Sequence, residues 1–340
     1  MGSRNPKANA VTTENKTLVL SRDTIAQLAT TSDYLAAMRS AFADLADRRF
    51  ELPAVGHIPG EGGAFHIKSA RRSGPRPLVA IKVNGNFPGN PLNYGLPTIQ
   101  GFIALLDAER GSVLALLDSI EITARRTAAT TALAAEYLAK ADSRTLGLVG
   151  CGVQARYHVE ALLDVFAIER IQFYDSRDDA MQSFERHSWT RDIRMSRVGN
   201  ARSVARGADI VITVTPATQP VLALADIDPG AFVAGVGADS PSKHELAPDL
   251  LCASRVVVDT LSQAATMGDL HHAMNAGAMR STDIHGELAD LVGGTIPGRL
   301  GNNQRFVFDS TGLALQDLAA AQMIYERAKL REGVEHGIAP

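Results

Sequence analysis

The chain has 340 residues, 45% of them hydrophobic, 21% charged and 5% aromatic, which excludes a collagen-like fibre, a coiled coil and a disordered tail. Its 34 lysines and arginines against 37 acidic residues give a formal charge of -3, so neither nucleic acid nor an anionic membrane surface is an expected partner. Two cysteines, Cys151 and Cys252, cannot build a disulfide framework.

The leader MGSRNPKANAVTTENKT is polar and has no apolar segment of a secretory signal. No apolar run approaches the roughly 18 residues of a membrane span. A reducing, cytoplasmic setting is therefore expected. Residues 32–50 read as one amphipathic helix, because Leu35, Met38, Phe42 and Leu45 recur at steps of three and four. From 52 to 118, short apolar runs alternate with Gly and Pro clusters, predicting a mostly antiparallel sheet. Its clearest hairpin joins 101–106 to 112–117 through Glu109-Arg110-Gly111.

An Ala-rich helix over 121–140 precedes alternating strand and helix patterns. The predicted strands are 145–149, 170–174, 210–214, 231–235, 255–259 and 305–308, mostly continuous apolar runs suited to a parallel sheet covered on both faces. A last helix over 314–329 has room to return to the first part of the chain.

The strand 145–149 runs into Gly150-Cys151-Gly152-Val153-Gln154-Ala155 and then a helix, a strand, G-x-G-x-x-A, helix pattern. Gly150 would make the tight turn, and Gly152 would let the backbone approach a pyrophosphate. Ala155 is small enough for close packing, and the helix N-terminus would face the anion. A second strand ends at Asp175, where a carboxylate would hold ribose hydroxyls and favour NAD. Ser176 and Arg177 directly after it could instead take a 2′-phosphate, so NADP stays open. Cys151 reads as a packing residue rather than a nucleophile.

Together with their flanks, these residues resemble the ornithine cyclodeaminase/mu-crystallin family. The matching stretches are Ile81-Lys82-Val83, Asn86-Phe87-Pro88-Gly89-Asn90, Gly95-Leu96-Pro97-Thr98 and Arg125-Arg126-Thr127-Ala128-Ala129. After the glycine turn come Gly237-Ala238-Asp239 with Lys243 and Glu245-Leu246, then Gly286-Glu287-Leu288. The last is the run from Asp309-Ser310-Thr311-Gly312 to Gln316-Asp317. The fold class that follows is α/β, a Rossmann-type doubly wound parallel sheet plus an α+β substrate and dimerisation domain. The expected division is 1–127 with 314–340 for substrate and dimerisation, and 128–313 for the dinucleotide. A homodimer is implied.

The resemblance also implies work at the Cα–N bond of amino or imino acids. Arg126 would hold the substrate carboxylate, since a guanidinium fork matches it bidentately. Lys82 would be a second carboxylate contact or a proton-handling amine, although strand alternation alone also lets it face solvent. Lys68 is a further substrate candidate and shares a strand face with His66. The family places another arginine near Pro53, where this chain reads Leu52-Pro53-Ala54-Val55, and Lys68 is the residue that would compensate. Asp239 would be the general base; its plainer reading is a turn cap before Ser240-Pro241. Thr127, Thr215, Pro216, Ser310 and Thr311 are expected at the cofactor, or as turn and cap residues. His271-His272 is not a zinc pair, because adjacent helix residues face different ways, and no metal is expected.

Three outcomes fit this site. Hydride transfer through an imine makes an amino acid dehydrogenase or, in reverse, an imine reductase. Attack by a terminal side-chain amine with return of the hydride makes a cyclodeaminase. A non-catalytic, crystallin-like dinucleotide carrier is the third, and retention of Lys82, Arg126 and Asp239 speaks against it. A Rossmann alcohol dehydrogenase ranks last, for want of a Tyr-x-x-x-Lys or metal constellation.

Overall fold

The computed structural model describes residues 17–53, 55–331 and 336–338; the leader of residues 1–16 and Ala54 lie outside the described residues. The first set of strands comprises β1 (Thr17–Leu20), β2 (Phe50–Glu51), β3 (Gly56–Gly60), β4 (Gly63–Arg72), β5 (Leu78–Asn86), β6 (Ile99–Asp107) and β7 (Val113–Asp118). Between them lie α1 (Arg22–Leu28), α2 (Thr31–Ala46) and α3 (Asn90–Asn93), and α4 (Ser119–Leu138) leads out. The second set begins with β8 (Thr145–Val149), α5 (Val153–Val165), β9 (Arg170–Tyr174), α6 (Asp178–Glu185), β10 (Arg194–Arg197), α7 (Ala201–Ala205) and β11 (Ile210–Thr213). It continues through β12 (Thr218–Leu222), β13 (Phe232–Gly235), β14 (His244–Leu246), α8 (Pro248–Cys252), β15 (Arg255–Val258), α9 (Leu261–Ala264) and α10 (Asp269–Asn275). After β16 (Gly286–Glu287), α11 (Leu288–Val292) and β17 (Phe306–Asp309), the chain closes with α12 (Ala314–Leu330) and β18 (His336–Ile338).

The first sheet runs β18-β1-β7-β6-β5-β4-β2, with β3 also on β4. Strands β3 to β7 pair antiparallel, as the hairpin pattern requires. The sequence showed no strand at β1, which lies parallel to β7. On β5 the odd and even faces differ: Leu78, Ala80 and Lys82 are buried, and Val79, Ile81 and Val83 are half-buried. Helix α12 packs on β4, β5 and β6 and against α2 and α4, so the C-terminal helix does return to the first sheet.

Helix α2 is capped by a reciprocal box: Asp33 accepts the Thr30 amide at 2.8 Å, and Thr30 accepts the Asp33 amide. It buries Tyr34, Met38, Ala41 and Phe42, each large apolar side chain contributing about 1.5–3 kcal/mol. The helix expected to reach Phe50 stops at Ala46. Arg48 takes a left-handed φ of 58°, and Phe50 pairs with Arg72 in a strand instead.

The second sheet runs β10-β9-β8-β11-β13-β17-β15-β16 and every pairing in it is parallel. Strands β11, β13 and β17 are buried at every residue, matching their unbroken apolar sequence. The edge strand β10, with the polar sequence RMSR, and the short pair β12–β14 were not legible as strands. Strand β8 lies between β9 and β11, so strand order reverses there and opens a crevice at the carboxyl ends. No helix among the described residues is long and apolar enough to cross a membrane.

Candidate active site

The glycine turn follows β8. Gly150 has φ +94°, and a Cβ there would lie 2.7 Å from the Val214 carbonyl oxygen, so only glycine fits without strain. Gly152 is different: a Cβ would meet no atom within 4 Å. It caps α5 without a side-chain hydrogen bond, leaving first-turn amides at the positive end of a 13-residue helix. Val153 is exposed beside it, while Ala155 is fully buried against the sheet. Asp175 flanks the turn, its carboxylate accepting the amides of Cys151 at 2.8 Å and Arg177 at 2.9 Å. Ser176 and Arg177 are exposed just beyond. Open space, free amides and an anchored carboxylate fit a dinucleotide pyrophosphate and ribose. Burial pushes the Cys151 thiol up to about 12, consistent with a packing residue.

A cleft of about 230 Å³ opens where the strand ends of the second sheet face the first. Lys68, Arg126, Thr127, Gln154, Thr215, Pro216, Asp239, Ser310 and Thr311 all line it, so one cavity gathers nine of the residues singled out in the sequence. Thr127 donates its hydroxyl to the Thr123 carbonyl, and Gln154 keeps a buried side-chain oxygen without a partner. The Ser310 amide donates to Gly235, and the Thr311 hydroxyl accepts from Gln263 at 2.8 Å. His66 is half-buried and packs edge-on to His57, outside the lining. Arg125 turns away to Glu121 at 2.6 Å.

The wall contributed by the first sheet is cationic. Lys82 lies on the covered face of β5, not the open one, and is not among the side chains that line the cleft; Lys68, which does line it, stands directly opposite on β4. The Lys68 amine donates to the carbonyls of Gly312 at 2.7 Å and Thr311 at 3.3 Å. Lys82 Nζ lies 2.6 Å from Asp317 Oδ2, and Arg126 Nε donates to Asp317 Oδ1 at 3.0 Å. Arg126 Nη1 donates to Gln316. Burial lowers the Lys82 amine to about 7, with Asp317 opposing and Arg126 and Lys68 adding to the fall. Burial and then Arg126 lower Lys68 as well. For Asp317 burial acts upward, but Arg126 and Lys82 outweigh it and hold the carboxyl below its usual range.

At the mouth, Asp239 is more than half exposed and accepts from Lys243 Nζ at 2.6 Å. Partial enclosure acts upward on its carboxyl, and the charges of Lys243, Lys68 and His66 bring it below the ordinary value. Its side chain pairs with Lys243 rather than capping the Ser240-Pro241 turn.

Behind the cleft, a buried Glu245 accepts from the Thr215 amide (2.6 Å) and hydroxyl (2.7 Å), the Thr213 hydroxyl (2.8 Å) and the Gly237 amide (2.7 Å). One carboxylate thus fixes the two strand ends that carry Pro216 and Asp239. In Glu245→Gln an amide nitrogen must face one of these donors, leaving it unsatisfied. The expected cost is about 1–3 kcal/mol of unfolding free energy, read from a denaturant melt. Asp259 similarly accepts the Gly312 amide at 2.6 Å. Sequence reasoning missed Thr123 and gave Glu245, Gln316 and Asp317 no role, although the last three sit inside the quoted motifs. His271 and His272 bond to the carbonyls of Ala265 and Lys243, and His272 stacks on His244. No group of three or more metal-ligating residues occurs among the described residues.

A parallel sheet with a free phosphate-binding turn, facing a buried cationic wall across one cleft, defines a dinucleotide-dependent enzyme for a carboxylate-bearing small molecule. Residues 15–332 match the ornithine cyclodeaminase/mu-crystallin family. Alanine dehydrogenase of Archaeoglobus fulgidus is 33% identical over 313 residues, covering 92% of this chain and 95% of that protein. An archaeal alanine dehydrogenase dimer with bound NAD superposes with a TM-score of 0.89 at 32% identity, over 94% of this chain and 98% of that one. Thermococcus litoralis Delta(1)-pyrroline-2-carboxylate reductase, solved with NADH and L-proline, gives 0.89 at 31% identity, over 94% and 100%. The chain belongs to the ornithine cyclodeaminase/mu-crystallin family. It is an NAD(P)-dependent enzyme acting at the Cα–N bond of an amino or imino acid.

Proposed function

We propose that the enzyme interconverts an α-imino acid and the α-amino acid, as an imine reductase or amino acid dehydrogenase. The observation that carries this reading is the cationic set of half-buried Lys68 and buried Arg126 at the cleft with Lys82 buried next to them, and Asp317 the carboxylate paired with Lys82 and Arg126. Such surplus positive charge in a desolvated wall calls for an anionic partner, and an α-carboxylate supplies it. Arg126 anchors that carboxylate, and Lys68, one strand from the missing family arginine, assists. The nicotinamide, when bound, supplies or accepts the hydride at Cα. Lys82, titrating near neutrality, gives a proton to the imine side and takes it back in the reverse direction. Asp239, at the solvent side, handles the proton of an attacking water or leaving amine.

Gly150, Gly152, Val153, Gln154, Ala155, Thr127, Thr215, Pro216 and Ser310 hold the cofactor, with Asp175 on the adenosine ribose. Asp175 favours NAD, because a carboxylate repels a 2′-phosphate. In Asp175→Ala the dissociation constant for NADH is expected to rise about ten- to a hundredfold, with far less change for NADPH, both followed by fluorescence titration. An effect confined to NADPH would point to Ser176 and Arg177 instead.

The division into 1–127 with 314–340 and 128–313 accompanies this reading, as does a cytoplasmic setting, which suits the free thiols of Cys151 and Cys252. We also assign a homodimer to the open face of the first sheet. There Val19, Leu116, Ala104 and Ile81 lie side by side across four strands, next to Phe102 and Val83. Val19 is 45% and Phe102 46% exposed, an apolar face with no helix over it among the described residues. Light scattering is expected to give twice the chain mass, and Phe102→Lys about one chain mass.

The deciding experiment incubates purified protein with NAD or NADH and a panel of cyclic imino acids, alanine, ornithine, lysine and arginine. Reduced cofactor and ammonia are followed together. Consumption of NADH by an imino acid, or ammonia matched by NADH from an amino acid, is the expected result. Ammonia without net NADH means a cyclodeaminase, and cofactor binding with neither signal means a carrier.

A further inference from the structure

Asp317 lies in the first turn of α12 and is 1% exposed. Its two carboxylate oxygens go to different cations from different elements: Oδ1 to Arg126 of α4, and Oδ2 to Lys82 of β5. Carboxylates gain stability in a helix's first turn, and burial strengthens both ion pairs. The guanidinium it holds is confined on two further sides. Gln316 takes Nη1, and Gly312, with φ +75°, comes so close that a Cβ there would lie 2.9 Å from Nη1. The third nearby cation, Lys68, is tied instead to the carbonyls of Thr311 and Gly312, three and two residues before the same helix.

We propose that Asp317 is a positioning residue that holds Lys82 and Arg126 as one unit, aiming the guanidinium fork at the substrate carboxylate and keeping a proton available on Lys82. This rests on the assignment of Lys82 as proton donor and Arg126 as carboxylate anchor. Charged groups reach Lys82 from three elements: Asp317 of α12, Arg126 of α4 and Lys68 of β4. Two of these are cations and one is an anion, so the carboxylate is what opposes loss of the proton in a desolvated wall. A single bridging anion also couples the two roles. A shift of α12 would change carboxylate anchoring and proton supply together.

The test uses the full-length protein and reads Lys82 directly, by trace acetylation across pH with peptide mass spectrometry, in wild type, Asp317→Asn and Asp317→Glu. Without the anion the Lys82 midpoint is expected to fall by about one pH unit or more, and the pH limb of kcat/KM to move to acid by the same amount. A folded Asp317→Asn protein with an unmoved midpoint overturns the proposal. Should that variant fail to fold, Asp317→Glu decides. It keeps the charge but displaces the fork, so the midpoint stays while KM for the imino acid rises about tenfold with kcat little changed. Unchanged KM in that variant also overturns it. Because labelling needs no turnover, a shifted midpoint in a protein that converts no imino acid upholds the Asp317 bridge and rejects the reaction instead.

Discussion

Arg126→Ala is expected to lower kcat/KM for imino acid reduction by about three orders of magnitude, most of it in KM. Removing one member of a buried, hydrogen-bonded charge pair typically costs 2–5 kcal/mol, and each 1.4 kcal/mol is tenfold. Here the arginine's fixed geometry is what counts. Nε is taken by Asp317 and Nη1 by Gln316, so the fork reaches the cleft in one orientation. Arg126→Lys restores the charge but has one point donor for two acceptors, and is expected to recover only a small part of the loss. NADH affinity, measured by fluorescence titration, should change little in either variant, because the glycine turn lies on the other sheet. A large loss of NADH binding with unchanged KM for substrate would place Arg126 at the cofactor.

The parts of the molecule visible in the sequence are those set by local rules. The turn at Gly150 was legible because a positive φ and a close carbonyl admit only glycine, and because the strand before it is an unbroken apolar run. The central parallel strands β11, β13 and β17 betrayed themselves by their apolar runs, whereas the polar edge strand β10 did not. Helix α2 was visible in its apolar period, but its end was not: Arg48 adopts the left-handed conformation without the Gly or Asn that usually signals it. Strand β1 is four residues long, and its partner β7 lies almost a hundred positions away, so nothing near it announces the pairing. The orientation of Lys82 was undecidable by alternation, since β5 places apolar residues on both faces and only the docking of α12 makes one of them interior. Asp317 was quoted in a motif yet had no role for a related reason. It is 191 positions from Arg126, and the contact exists only once the last helix has returned to the first sheet.

Lys82 carries the second large effect. Its amine is buried, and burial brings it to about 7 from an ordinary value of 10.5. For reduction the protonated form is the active one. The kcat/KM of the free enzyme is therefore expected to be level below pH 7 and to fall tenfold per unit above it. Oxidation of the amino acid needs the neutral amine, so its profile rises through the same pH and levels off above. The two limbs share one group and must cross near its midpoint. Lys82→Gln removes the proton donor while keeping a polar side chain beside Asp317, and the loss expected is about 10²–10⁴ in kcat. The remaining activity should lose this limb while keeping any pH dependence that belongs to the substrate's own imine, which separates the two titrations on one substrate. Should the limb persist unchanged in Lys82→Gln, the proton comes from elsewhere, and Lys68, an amine that lines the cleft and is lowered by burial and by Arg126, becomes the donor to test.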